Sequence, residues 1–200
     1  MSTPGARPLG SGALELPPYS LDVQALDLGN QTKAVGLELV ETENREPLRG
    51  KEAAEIWSEI FTALAGKEAY VVDFFSHLDR VREFCKMHEI AWREAAERCI
   101  VIPSPNASEL QQLLERFAGE TFGLRAGNTS GLPDPALEGD LSKRGLDAYQ
   151  QAYKRYTFCT VCELEDGWVT ILSESLWPSE IIRRLRPAVR RFDVHIARPN

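Results

Sequence analysis

Two short segments at the start of the hydrophobic pattern are typical of β-strands. Residues 19–28 and 34–42 are rich in leucine and valine, with polar residues interspersed. Gly29 and Asn30 lie between the two segments and favour a tight turn between antiparallel strands. The pattern therefore predicts a β-hairpin, or a closely similar arrangement, as the first element of the fold.

The next part of the chain alternates between helical and strand-like patterns. Apolar residues recur at helical spacing from Pro47 to Ala65, which predicts a first helix. The run AYVVDFF at 69–75 is apolar, β-branched and aromatic, which is typical of a strand that is covered on both faces. Across 77–99, apolar residues, two cysteines and a histidine fall at alternating steps of three and four. This longest periodic stripe predicts one continuous helix.

Shorter elements lead into the most irregular part of the chain. A strand is predicted at 99–103, and Asn106 and Glu109 have the spacing of a capping box at the start of a helix. Residues 119–145 contain six glycines and two prolines, so we expect a long irregular loop there. Such a loop would be a lid, a binding loop or a disordered excursion. A helix with a stripe of tyrosines is predicted at 146–156.

The C-terminal part of the chain has a clear pattern. Strands are predicted at 156–164 and 168–173, and the three residues between them form a turn that ends in glycine. A helix is predicted at 178–191, with a kink at Pro187. A last strand is predicted at 192–197.

The order of these elements predicts the fold class. Helices that alternate with short apolar strands indicate an α/β or α+β protein. We expect a single domain at 19–200, built on a mixed β-sheet of about six to seven strands with helices packed on it. Its last part would be a β-hairpin–helix–strand block. Residues 1–18 are rich in proline, glycine and serine and predict a disordered tail.

Composition narrows the class of protein further. The chain has 200 residues, and 43% of them are hydrophobic, which is sufficient for a substantial core. No stretch approaches ~18 uninterrupted apolar residues, so we expect no membrane span. The first residues lack the apolar core of a signal peptide. These features favour a cytoplasmic location in which the cysteines are reduced.

Charge is distributed unevenly along the chain. Residues 178–200 contain six arginines and two acidic residues, for a charge of about +4. Because the whole chain carries −7, the remaining residues carry about −11. Clustered guanidinium groups favour carboxylate or phosphate partners, so we expect an interaction surface for an acidic protein partner. Its residues would be Arg183, Arg184, Arg186, Arg190 and Arg191.

Two other interpretations of the arginine cluster are open. The cluster could be a solvated helix face that balances the acidic remainder of the molecule. Nucleic acid is a less suitable partner, because this helix lacks the interleaved aromatic residues of a single-strand binder.

A second candidate site is centred on Asp73, whose carboxylate interrupts an apolar strand. Such a group is costly to bury unless it is paired, and pairing with an arginine or a helix N-terminus is one explanation. The other is an active site at a strand end, where α/β sheets bind ligands. Asp73 and His77 would then be the catalytic candidates. The ligand-binding candidates would be Ser76, Ser104 and Asn106.

The cysteines do not predict a metal or redox centre. Cys159 and Cys162 lie within a predicted strand, where side chains three positions apart point to opposite faces. Cys85 and His88 are one helical turn apart and could both bind one metal ion, but a closed zinc site needs further ligands. We therefore predict no metal and no cofactor. The dinucleotide-binding, P-loop, GxSxG and HExxH motifs are also absent from the sequence.

These observations leave two hypotheses for the function. The first is a soluble α/β module that acts by binding, as a regulatory, adaptor or assembly component, through its arginine-rich C-terminal helix. The alternative is an enzyme that acts on a phosphorylated or carboxylated small molecule in a crevice around Asp73.

Overall fold

The computed structural model describes most of the chain in nine segments. These are residues 17–28, 33–65, 69–74, 78–96, 99–103, 105–119, 122–127, 156–187 and 192–196. The strands within them are β1 (Tyr19–Asp27), β2 (Lys33–Glu41), β3 (Ala69–Phe74), β4 (Arg93–Ala96), β5 (Cys99–Val101), β6 (Phe122–Gly127), β7 (Phe158–Glu163), β8 (Trp168–Leu172) and β9 (Phe192–Ile196). The helices are α1 (Gly50–Ala65), α2 (Leu78–Met87), α3 (Ala107–Phe117) and α4 (Pro178–Leu185).

Seven of these strands form one mixed sheet, in the order β3-β6-β7-β8-β2-β1-β9. Every neighbouring pair is antiparallel except β1 and β9, which are parallel. Strands β4 and β5 form a separate two-stranded sheet. The predicted α/β class, with a mixed sheet of six to seven strands and helices packed on it, is confirmed.

The predicted C-terminal block is confirmed and forms a crossover. Strands β7 and β8 pair as an antiparallel hairpin around a short 3-10 turn, Leu164–Asp166. Gly167 ends this turn with a φ of 67°, a conformation that glycine adopts without strain. Helix α4 then carries the chain past β2 and β1, so that β9 pairs on the far side of β1.

The main core lies between the helices and one face of the sheet. Strand residues that point to this face are fully buried, as Leu21 and Val23 of β1 and Leu37 of β2 show. Each of the four helices in the described segments contributes buried residues to the same cluster. In α1, the Trp57 and Phe61 rings stack with their centroids 5.7 Å apart. The helices therefore form one layer on the sheet.

The opposite face of the sheet carries a second, smaller core. Ala34, Cys159 and Leu172 are buried there, on three neighbouring strands. Nearby, the Trp168 ring lies across Gly36, where an added Cβ would come within 2.5 Å of two ring atoms. A larger side chain at position 36 would therefore fit only if the indole shifted.

The prediction of one continuous helix over 77–99 is wrong. Helix α2 ends at Met87, because Glu89 adopts a φ of 55° and the Ile90 N–H donates to the Cys85 carbonyl at 2.9 Å. A left-handed residue of this kind ends a helix. Beyond it the chain forms β4 and β5, and Trp92 is only partly buried.

The predicted irregular loop at 119–145 is shorter than expected at its start. Residues Phe122–Gly127 form β6, which pairs with β3 on one side and β7 on the other. Ladder pairing on both edges outweighs the low strand propensity of the glycines in FGLRAG. The remainder of this loop and the helix predicted at 146–156 lie outside the described residues, apart from Tyr156. The same holds for the tail predicted at 1–18, apart from residues 17 and 18.

Candidate functional site

Helix α4 is fixed to the rest of the molecule by its apolar side. Pro178 lies in its first turn. Backbone N–H groups at this position have no partner within the helix, so the missing N–H of proline costs no hydrogen bond. Ile181, Ile182 and Leu185 are buried in the main core, as the helical spacing predicted. The helix contacts α1, β1 and β9. The positions of its arginines are therefore set by a well-packed element.

Glu180 holds two of these arginines by charge-assisted hydrogen bonds. The Arg183 guanidinium donates from Nε and Nη2 to the two carboxylate oxygens, each at 2.7 Å. The Arg184 Nε donates to Glu180 Oε1 at 2.9 Å. A hydrogen bond from Arg183, and a smaller effect of the hydrogen bond from Arg184, lower the pKa of Glu180 to about 2. The carboxylate is stabilised in its ionised form by both partners.

Arg184 joins α4 to the C-terminal end of α1. Its Nη1 donates to the Leu64 carbonyl at 2.6 Å, and that carbonyl belongs to the last turn of α1. Carbonyls in the last turn of a helix lack intrahelical donors, so a guanidinium satisfies one of them. The Arg184 side chain is only 29% exposed. Arg184 therefore contributes mainly to the fold.

One arginine of α4 and the residues that flank the helix on each side remain open to solvent. The Arg183 side chain is 71% exposed, and Arg186, just after the helix, is also exposed. Trp177 is 43% exposed, and the Lys33 ammonium lies 5.1 Å from the centroid of its ring. We call Trp177, Arg183 and Arg186 the α4 surface. Arg190 and Arg191, predicted to belong with them, lie outside the described residues.

The two strands of the predicted crevice lie in contact with each other. Strand β3 pairs with β6 in antiparallel orientation and places Asp73 opposite Gly123, while β5 pairs with β4 in the small sheet and also contacts β3. The proximity of β3 and β5 on which the predicted crevice depends is therefore present, although the two strands are not parallel members of one sheet. Ser76, His77 and Ser104, together with the side chain of Asp73, lie outside what the structure describes. The enzyme hypothesis stays a prediction.

Asn106, the remaining member of that crevice, begins α3. Its Oδ1 accepts from the Glu109 N–H at 2.9 Å, and its own N–H donates to Glu109 Oε2 at 2.8 Å. The predicted capping box is confirmed. The side-chain oxygen of Asn106 is therefore used to satisfy the helix N-terminus.

Cys85, Cys159 and Cys162 are buried and form no disulfide. As the strand spacing predicted, Cys162 lies in the main core and Cys159 in the smaller one. Burial raises the pKa of Cys162 to about 12 and that of Cys85 to about 11. Their thiols therefore stay protonated near neutral pH. His88, the histidine of the predicted helical stripe, is exposed, and its ring lies 4.2 Å from that of Phe84.

The structure also contains a cleft that the sequence did not predict. A cavity of about 740 Å³ lies between the start of α1, the end of α3 and the 3-10 turn. Its charged lining residues are Arg49, Arg80, Glu115, Arg116, Glu165 and Asp166. These residues are far apart along the chain and form no motif. Only the tertiary fold brings them together.

The described residues give no sign of a metal centre or a membrane span. They include no group of three or more histidine, cysteine or acidic side chains placed to hold a metal ion. None of the helices in the described segments is long and apolar enough to cross a bilayer. In comparisons with known proteins, no family model, curated protein or solved structure matches this chain. A proposal about its function therefore rests on the geometry of the chain itself.

Proposed function

We propose that this protein acts by binding an acidic protein partner through the α4 surface, as a regulatory, adaptor or assembly component. The observation that carries the proposal is the exposure of Arg183, Arg186 and Trp177 on or beside a helix whose other side is fixed in the core. Arginine and tryptophan dominate the energetics of protein interfaces. A rigid helix presents them with little loss of conformational entropy on binding.

The charge of the molecule favours an acidic partner over nucleic acid. Guanidinium groups form strong charge-assisted hydrogen bonds with carboxylates, and Arg183 uses two of its five N–H donors on Glu180, which leaves three for a partner. The net charge of −7 on the whole chain repels a long polyanion such as nucleic acid. A short acidic protein segment contacts only the α4 surface, where the local charge is positive. We place this activity in the cytoplasm, where reduced thiols such as those of Cys85 and Cys162 persist.

The test is a double charge reversal, Arg183→Glu together with Arg186→Glu. The matched control is Lys86→Glu with Arg93→Glu, which makes the same change in charge at exposed residues of α2 and β4. Partners of the wild-type chain would be cross-linked in cell extract and identified by mass spectrometry. We expect the cross-links to join α4 to an acidic segment and to be lost only in the α4 variant.

Two further measurements decide between binding and a merely solvated face. Affinity for the identified partner should fall as salt is raised, since exposed charges are screened. Thermal melts should show both variants folded. If the α4 and control variants retain the partner equally well, or lose it equally, the α4 surface is not the contact.

A further inference from the structure

Three arginines from separate parts of the chain line the cleft beside α1. Arg49 precedes α1, Arg80 lies in α2 and Arg116 lies near the end of α3. Arg49 is held in place by its Nε, which donates to the Glu165 carbonyl at 3.0 Å. Its terminal nitrogens carry four further N–H donors, and guanidinium groups present such donors in a fork that matches phosphate oxygens.

The same cleft also contains acceptors. Glu115, Glu165 and Asp166 line it, so that three carboxylates balance the three arginines. Carboxylates accept hydrogen bonds from hydroxyl groups. A ligand that carries both an anionic group and hydroxyl groups would satisfy both parts of the lining, whereas an apolar ligand would satisfy neither. At about 740 Å³, the cleft is within the range of small-molecule sites, ~300–1,000 Å³.

A second cavity adjoins this cleft and has an aromatic wall. It measures about 370 Å³ and shares Glu115 and Arg116 with the first. Its other lining residues are Phe84, His88 and Gln112. The His88 and Phe84 rings lie 4.2 Å apart, and the edge-on contact of Phe84 with Phe117 at 5.5 Å connects them to the core. An exposed ring such as that of His88 can stack with a planar ligand group, and the amide of Gln112 can donate to or accept from a ring edge.

We infer that the two cavities form one site for a phosphorylated compound that carries hydroxyl groups and a planar ring, of which a nucleoside monophosphate is the simplest probe. The phosphate would bind between Arg49 and Arg116, and the hydroxyl groups would contact the carboxylates of the larger cavity. The ring would lie against His88 in the smaller one. None of the residues that line the two cavities belongs to α4, so this inference does not depend on the α4 surface.

The site can be tested by calorimetric titration of the whole chain with AMP, GMP, CMP and UMP. Inorganic phosphate and adenosine serve as the two halves of the ligand. We expect at least one mononucleotide to bind with a dissociation constant below ~1 mM, and both halves to bind more weakly. Arg49→Gln with Arg116→Gln should weaken nucleotide binding roughly tenfold or more, because two charge-assisted contacts are lost.

A second variant separates the two cavities. His88→Ala should weaken nucleotide binding several-fold by removing a stacking surface while leaving the affinity for phosphate unchanged. Arg93→Gln, at an exposed position in β4, is the matched control and should bind as the wild type does. If the double variant fails to fold, Arg116→Gln alone and amide chemical-shift mapping on the wild type around Gln112 replace it.

Three results would overturn the inference. The first is that none of the four mononucleotides binds at ~1 mM. The second is that the arginine variants bind nucleotide as tightly as the wild type does. The third is that phosphate alone binds as tightly as every nucleotide, which would remove the ring from the site. The variant Arg183→Glu with Arg186→Glu should keep nucleotide affinity, so loss of the protein partner and loss of the ligand are separable.

Discussion

At the residue scale, Glu180 is the carboxylate on which the arginines of α4 depend. It accepts hydrogen bonds from Arg183 and Arg184, and Arg184 in turn donates to the Leu64 carbonyl. One acidic residue thus orients an exposed arginine of the proposed contact surface and a structural one. The arginine cluster in the sequence therefore includes both an exposed side chain and one that joins two helices, which the one-dimensional pattern could not separate.

Replacement of Glu180 should change how stability depends on pH. Because the arginines lower its pKa from 4.5 to about 2, the carboxylate stabilises the folded state fully above pH 4.5. That contribution is lost progressively as the pH falls towards 2. Glu180→Gln should therefore be less stable than the wild type in urea near neutral pH, and the difference should shrink under acid. Glu83→Gln, at an exposed position in α2, is the control. A constant difference between pH 6 and pH 3 would contradict the assignment.

Gly36 provides a steric test at the same scale. Gly36→Ala places a methyl group within 2.5 Å of the Trp168 ring, so we expect a loss of roughly 1–3 kcal/mol in the free energy of unfolding. Urea denaturation measures this loss. In a Trp168→Leu background the same substitution should cost clearly less, because the indole is absent. Equal costs in the two backgrounds would show that the ring moves aside.

At the scale of elements, prediction succeeded where side-chain period and end signals agreed. The helices α1, α3 and α4 have apolar residues at helical spacing and a recognisable start or end, and each forms where it was predicted. At 88–96 the period continued without an end signal, since Glu89 is not a residue expected in the left-handed region. Tertiary pairing of β4 with β5 decided the outcome there.

The capping box of α3 gives a prediction at this scale. Asn106→Ala removes the acceptor for the Glu109 N–H and should lower the free energy of unfolding by about 1 kcal/mol. Thermal or urea denaturation would measure it. Asn106→Asp keeps an acceptor and should stay close to the wild type. If Asn106→Ala kept its stability but lost affinity for a phosphorylated or carboxylated small molecule, the result would instead support the strand-end crevice predicted from the sequence.

At the scale of the whole molecule, the class of the fold was predictable and the sites were not. Alternating helices and strands indicated a mixed sheet, and the C-terminal block appeared in the expected order. No local sequence pattern predicts the order of strands in the sheet, because that order depends on which strand edges meet in space. For the same reason the cleft residues Arg49, Arg80 and Arg116 carried no signal in the sequence.

The position of the β1–β2 hairpin in the sheet has a consequence for how the chain folds as it is synthesised. Its neighbours on the two sides are β8 and β9, which lie more than a hundred residues downstream. Both edges of the hairpin therefore stay unpaired until residues 168–196 have left the ribosome. Long-range pairing of this kind makes folding slow and leaves strand edges open to association with other chains. The nascent chain is thus most exposed to aggregation in the interval before its last strands arrive.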